Sequence, residues 1–108
     1  MRKYPSWIAG LHHRRPDGLN RAKFCLHHLV PGTTLTLVPE PTNAHSDHAV
    51  AIKLADFHIG YVPERHDWVY RALVDEGVKL HCVVEHVEAQ GWLFRRARHV
   101  ALIIEILR

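Results

Sequence analysis

Leu35-Thr36-Leu37-Val38-Pro39-Glu40-Pro41-Thr42-Asn43-Ala44-His45-Ser46-Asp47-His48-Ala49-Val50-Ala51-Ile52, resumed by Ile59-Gly60-Tyr61-Val62-Pro63, is the stretch that decides how this 108-residue chain folds. Apolar residues at 35 and 37 set a period of two among β-branched neighbours, so residues 33–38 are expected to form a strand. Pro39 and Pro41 are expected to end it, because neither can donate a ladder hydrogen bond. Residues 42–47 are polar and read as a loop. Residues 49–54 have the composition of the next strand, with Val50, Ile52 and Leu54 on one face. Asp56 starts a short turn into residues 57–62, where Phe57, Ile59 and Tyr61 share a side, so these two segments should make a hairpin.

Working outward, residues 6–13 contain Trp7, Ile8 and Leu11 in weak alternation and read as a first strand. Residues 14–23 are polar around Pro16-Asp17-Gly18 and read as a loop. Residues 24–30 fit a short helical turn or a strand, and Pro31-Gly32 breaks the chain after them. On the other side, Pro63-Glu64 opens a helix. Trp68, Val69, Ala72, Leu73 and Val74 recur near helical spacing, Glu64 and Asp67 sit in the first turn, and Gly77 supplies a stop. Residues 78–87 alternate strongly, Gln90-Gly91 is a turn, and residues 100–107 form an apolar closing strand. The expected fold is mainly β: a six-stranded, OB-like, partly open barrel with one inserted α-helix, a single domain over residues 1–108.

Composition agrees with one small core. Apolar residues make up 47% and charged residues 23% of the chain, the balance of an ordinary globular domain rather than a disordered one. No apolar run approaches the roughly 20 residues that span a bilayer, and Met1-Arg2-Lys3-Tyr4-Pro5 is not followed by a signal-peptide apolar region, so a cytoplasmic protein without membrane contact is expected. Cys25 and Cys82 are expected to stay reduced. Charge is uneven. Up to Val30 there are six bases against Asp17, and from Gly91 on four against Glu105, while the middle carries four bases against nine acids. A barrel that brings the two ends together would merge their bases into one face attractive to polyphosphate. Those bases serve equally as a solubilising surface.

Side chains suited to binding concentrate in the loop at residues 43–48. His45 can stack on a base, Ser46 can donate or accept a hydrogen bond, and Asp47 can accept one from a sugar hydroxyl. Alternatively Asn43 and Asp47 bond backbone groups of the turn. His45, Asp47 and His48 are a candidate cation site, but no Cys-x-x-Cys pair accompanies them and no cofactor is expected. The motifs of a phosphate-binding glycine loop or a serine-nucleophile elbow are missing, so an enzyme is not expected. The run Trp92-Leu93-Phe94-Arg95-Arg96 mixes aromatics with bases, a composition suited to single strands, or places Trp92 or Phe94 in the core.

The order and spacing of these segments, with Trp7-Ile8-Ala9-Gly10 upstream and Glu76-Gly77-Val78 downstream, resemble the HIRAN domain family over most of the chain. HIRAN domains are accessory modules of DNA-repair translocases that bind single-stranded DNA ends. In the family, an aromatic residue and a following acid in the loop contact the terminal nucleotide, and the acid reads the free 3′-hydroxyl. His45 matches the aromatic position and Ser46 the acid position, with the acid one residue late at Asp47. A base and an aromatic residue after the first-strand glycine correspond to His12 and His13, and Arg14 and Arg15 follow immediately. Tyr61 matches a position near the bound DNA, though it also continues the apolar face of Phe57 and Ile59. Arg65 stands near the family's lysine.

The resemblance implies a non-catalytic module that binds single-stranded DNA near a 3′ end through His12, His13, Arg14, Arg15, His45, Ser46, Asp47, Tyr61 and Arg65, accessory to DNA repair or processing. The alternative is a protein-interaction module that recruits a DNA helicase or nuclease. A metal-dependent hydrolase is a third. A monomer or a weak homodimer formed through an exposed edge strand is expected.

Overall fold

The computed structural model describes residues 2–13 and 20–107. Six strands and two α-helices follow in order: β1 (Arg2–Trp7), α1 (Arg21–His28), β2 (Thr34–Glu40), β3 (Ala49–Leu54), β4 (Phe57–Tyr61), a 3₁₀ turn (Glu64–His66), α2 (Trp68–Val74), β5 (Lys79–Gln90) and β6 (Arg96–Leu107). All pairings are antiparallel, and the strands lie in the order β1-β6-β5-β2-β3-β4.

The sheet curls until its two edge strands meet. Just past β1, the Ala9 N–H donates to Tyr61 O at 2.7 Å and the Tyr61 N–H donates back to Ala9 O at 2.8 Å. β2 makes the corner: Thr34 and Leu35 pair with β5, and Thr36 to Glu40 pair with β3. The result is the mainly β, curled half-barrel expected of the OB-like class. Alternation explains the wall. Val100, Leu102 and Ile104 of β6 and Cys82 and Val84 of β5 face inward and are almost fully buried, beside Val50, Ile52 and Ile59 of the β3–β4 hairpin.

Several boundaries differ from expectation for physical reasons. β1 begins at Arg2 and ends at Trp7, because an edge strand needs only one partner and tolerates Pro5 and exposed charges; the residues beyond Ala9 turn away at Gly10. Pro39 does not end β2. It pairs with Val50 where β2 no longer touches β5, and a strand paired on one side has no ladder bond to lose on the other.

The segment that left helix and strand open is a second helix, so the single inserted helix becomes two. The Asn20 side chain caps α1 by accepting the Lys23 N–H at 3.0 Å, and Ala22, Cys25 and Leu29 bury one stripe. α1 packs on β4, β5 and β6, with Phe24 stacked on Phe57 at 4.4 Å, while α2 packs on β2, β3 and β5. Val69, Tyr70 and Ala72 are the buried face of α2, and Gly77, at φ 63°, lets the Val78 N–H return to Ala72 O at 2.8 Å. Cys25 and Cys82 are free thiols, and burial pushes the pKa of each up to about 12.

Gly60 sets how closely the edges approach. A Cβ there would collide with the Ile8 side chain and lie 2.7 Å from Ala9 O. Gly60→Ala is therefore expected to destabilise the domain by about 1–3 kcal/mol, read as a lowered Tm in a circular-dichroism melt. An unchanged Tm would mean that the seam accommodates a methyl group.

Candidate functional site

The seam leaves a cavity of about 550 Å³ beside the β2–β3 loop, a size usual for small-molecule sites. The β1 continuation supplies Ala9, Gly10 and His13; β4 supplies Tyr61; the loop supplies Asn43, His45, Ser46 and His48; and α1 supplies Arg21. Of the residues singled out from sequence, His13, His45, Ser46 and Tyr61 thus share one pocket. His12 points elsewhere: its Nε2 lies 3.2 Å from Arg98 O, and it lines a second depression with Asn20, Gln90 and Arg96. Asp47 is exposed and outside the lining. The Arg65 guanidinium sits over the Trp7 ring, 5.7 Å from its centroid. Arg14 and Arg15 lie outside the described residues.

The loop is held by its own side chains. Asn43 Oδ1 accepts the His45 N–H at 2.8 Å, and Ser46 Oγ accepts the His48 N–H at 3.2 Å. Asn43 therefore serves the turn, as one reading had it, and Ser46 rather than Asp47 provides the other brace. Asn43 Nδ2 donates to Glu40 Oε1 at 3.0 Å and to the Tyr61 hydroxyl at 3.3 Å, and that hydroxyl donates to Glu40 Oε1 at 2.9 Å. Burial, helped by the bond to Glu40, raises the Tyr61 pKa and keeps the phenol neutral. Tyr61 is half-buried and stays outside the apolar core, facing the pocket instead. His48 is fixed against Tyr70 by stacking at 4.8 Å, while His45 is exposed and open to a planar ligand.

Sequence reasoning counted Arg21 only among the basic residues and missed its place in the site. It is 8% exposed, the first residue of α1 after the Asn20 cap, and it reaches across to the seam. Nη1 donates to Gly10 O at 3.2 Å and Nη2 to His58 Nδ1 at 3.3 Å, while buried Nε has no hydrogen-bond partner among the described residues. His58 Nε2 donates to Gly60 O at 2.8 Å, which leaves Nδ1 as the acceptor for the guanidinium. A signal was available: once Asn20 is read as a cap, Arg21 falls beside Ala22 and ahead of Cys25 on the buried side of a short helix.

The remaining candidates separate cleanly. Among the described residues no group of three or more His, Cys, Asp or Glu converges to hold a metal ion, so His45, Asp47 and His48 do not form such a cluster. No described helix is long and apolar enough to cross a membrane. Trp92 and Phe94 are not core residues: they are 88% and 85% exposed at the tip of the β5–β6 hairpin, beside Leu93.

A curled β half-barrel with an open, mixed polar pocket at its seam defines a small binding domain. The chain belongs to the HIRAN domain family, which matches residues 8–102 and is known for nucleic-acid-binding modules. In structure it is similar to the HIRAN domain of human HLTF, with a TM-score of 0.61 at 11% identity over 94% of this chain and 74% of that one. It is also similar to a protein from Lactobacillus plantarum, with a TM-score of 0.64 at 19% identity over 94% of this chain and 91% of that one. No curated protein matches the sequence.

The environment of His58 makes a titration test. Burial first, and then the Arg21 charge, hold its pKa below the ordinary 6.5, so the folded state favours the neutral ring. The stability it contributes is complete above about pH 6.5 and is lost as pH falls through the lower folded value. An NMR titration is expected to place the His58 midpoint below 6.5; a midpoint at or above it would contradict the Arg21–His58 arrangement.

Proposed function

We propose that this domain binds single-stranded DNA near an end, with the terminal nucleotide in the seam pocket, and performs no chemistry on it. The observation that carries the reading is the convergence of His13, His45, Tyr61 and Arg21 on one cavity, which offers ring faces and a hydrogen-bonding cation together. Arg14 and Arg15, next in the chain after His13, and Arg65 are proposed to meet backbone phosphates farther along the strand. Ser46 and Asp47 are the proposed neighbours of the terminal sugar, and His12 extends the surface toward Arg96. Residues 1–108 are proposed to act as one domain, in the cytoplasm, accessory to DNA repair or processing.

Anisotropy titration with short single strands tests this. Neutralising about three phosphates predicts a slope of log K against log salt near −2. His45→Ala is expected to cost about 1–2 kcal/mol, roughly 5- to 30-fold in affinity, as one stacked base is lost. Absent or salt-independent binding contradicts the proposal.

One observation favours a second reading. The exposed Trp92-Leu93-Phe94 tip is apolar surface that the seam pocket does not use, and it suits a protein partner such as a DNA helicase or nuclease. A partner retained on the immobilised domain after nuclease treatment, and lost from the Trp92→Ser/Phe94→Ser variant, would support that reading.

A further inference from the structure

We propose that the seam pocket takes a phosphorylated strand end, a terminal phosphomonoester bound through Arg21, in place of a free sugar hydroxyl. The inference rests on the reading that the pocket receives a strand end, and it specifies the chemistry of that end.

Arg21 carries a full positive charge while 92% buried by the exposure given above, and a guanidinium does not discharge at any ordinary pH. Its two hydrogen-bonded partners are a carbonyl and a neutral imidazole, which orient it without compensating its charge. Among the described residues no carboxylate comes within 4.0 Å of it. Buried cations are ordinarily paired, because removing them from water is costly. Here the open side is the pocket, so an anion arriving there supplies the missing partner. Among the described residues two of the five guanidinium N–H groups find acceptors, and the buried Nε–H is among those left over.

A sugar hydroxyl needs a different site. To read a hydroxyl with charge assistance, a pocket must present a free carboxylate. Among the described lining residues Glu64 is the one carboxylate, and it is exposed to solvent, where water screens its charge. Glu40 already accepts from both Asn43 and Tyr61 through the same oxygen, and Ser46 Oγ accepts from the loop backbone. Three imidazoles, those of His13, His45 and His48, also line the pocket and add hydrogen-bonding ring nitrogens to it. A phosphomonoester carries close to two negative charges near neutral pH, against one for an internal phosphodiester, so the terminal group is preferred over the backbone.

The test compares one short single strand, labelled internally, in three forms: both ends hydroxyl, 3′-phosphate, and 5′-phosphate. One phosphorylated form is expected to bind roughly tenfold or more tightly than the hydroxyl form, as expected for a hydrogen-bonded charged group. The same comparison reports which end enters. In Arg21→Gln the ratio of phosphorylated to hydroxyl affinity is expected to fall toward one, and in Arg21→Lys it should fall only part way. Melting curves show whether either variant is folded, and the wild-type ratio decides the matter without them. Equal binding of all three forms, or tighter binding of the hydroxyl form, overturns the inference while leaving strand binding intact. Failure of every form to bind overturns the strand-binding reading itself.

Discussion

The reciprocal hydrogen bonds between Ala9 and Tyr61 are the constraint on which the site depends. Without them β1 and β4 are the two loose edges of an open sheet, and the segments that bear Gly10, His13 and Tyr61 have no reason to lie together. With them the sheet becomes a half-barrel, and the cavity is the space left where the seam departs from the β2–β3 loop. Gly60 permits this approach because the Ile8 side chain and the Ala9 carbonyl occupy the volume a Cβ would need. The same residue offers its carbonyl to His58, which in turn orients Arg21. One glycine therefore serves both the closure of the barrel and the placement of a buried cation.

That cation organises the electrostatics of the site. Burial, and then the Arg21 charge, lower the His58 pKa and so favour the neutral ring, which is what Arg21 needs as an acceptor, so the two states reinforce each other. At the end of β2 Glu40 is tied to Asn43 and Tyr61, which fixes the loop and the phenol. A buried guanidinium thus shares the pocket with a braced loop, on which His45 is exposed and His48 is stacked on Tyr70. Such an arrangement is organised before any ligand arrives, which lowers the ordering cost of binding.

Much of this was legible in residue order. The β3 and β4 hairpin, the loop between β2 and β3 and the helix before β5 follow from period-two and helical spacing that local physics rewards. The details that were not legible depend on which strand edges are free. Pro5 and Pro39 look like strand breakers until β1 is seen to be an edge and β2 to be paired on one side. Arg21 looks like surface charge until α1 is seen to lie against β4, with Phe24 on Phe57 one turn away. His12 and His13 read as neighbours on one binding surface, yet the turn after Gly10 sends them to different depressions. Long-range closure decides the prolines and the histidines, which no local pattern encodes, and for Arg21 the only local sign is the Asn20 cap ahead of it.

The central claim is that the closed seam is the binding surface. Amide chemical-shift mapping with a short single strand addresses it most directly, because it reports contact residue by residue. The account predicts that the largest shifts fall on Gly10, His13, His45, Ser46 and Tyr61. Shifts confined to residues 91–95 of the hairpin tip, or to α2, with the seam unmoved, would contradict it.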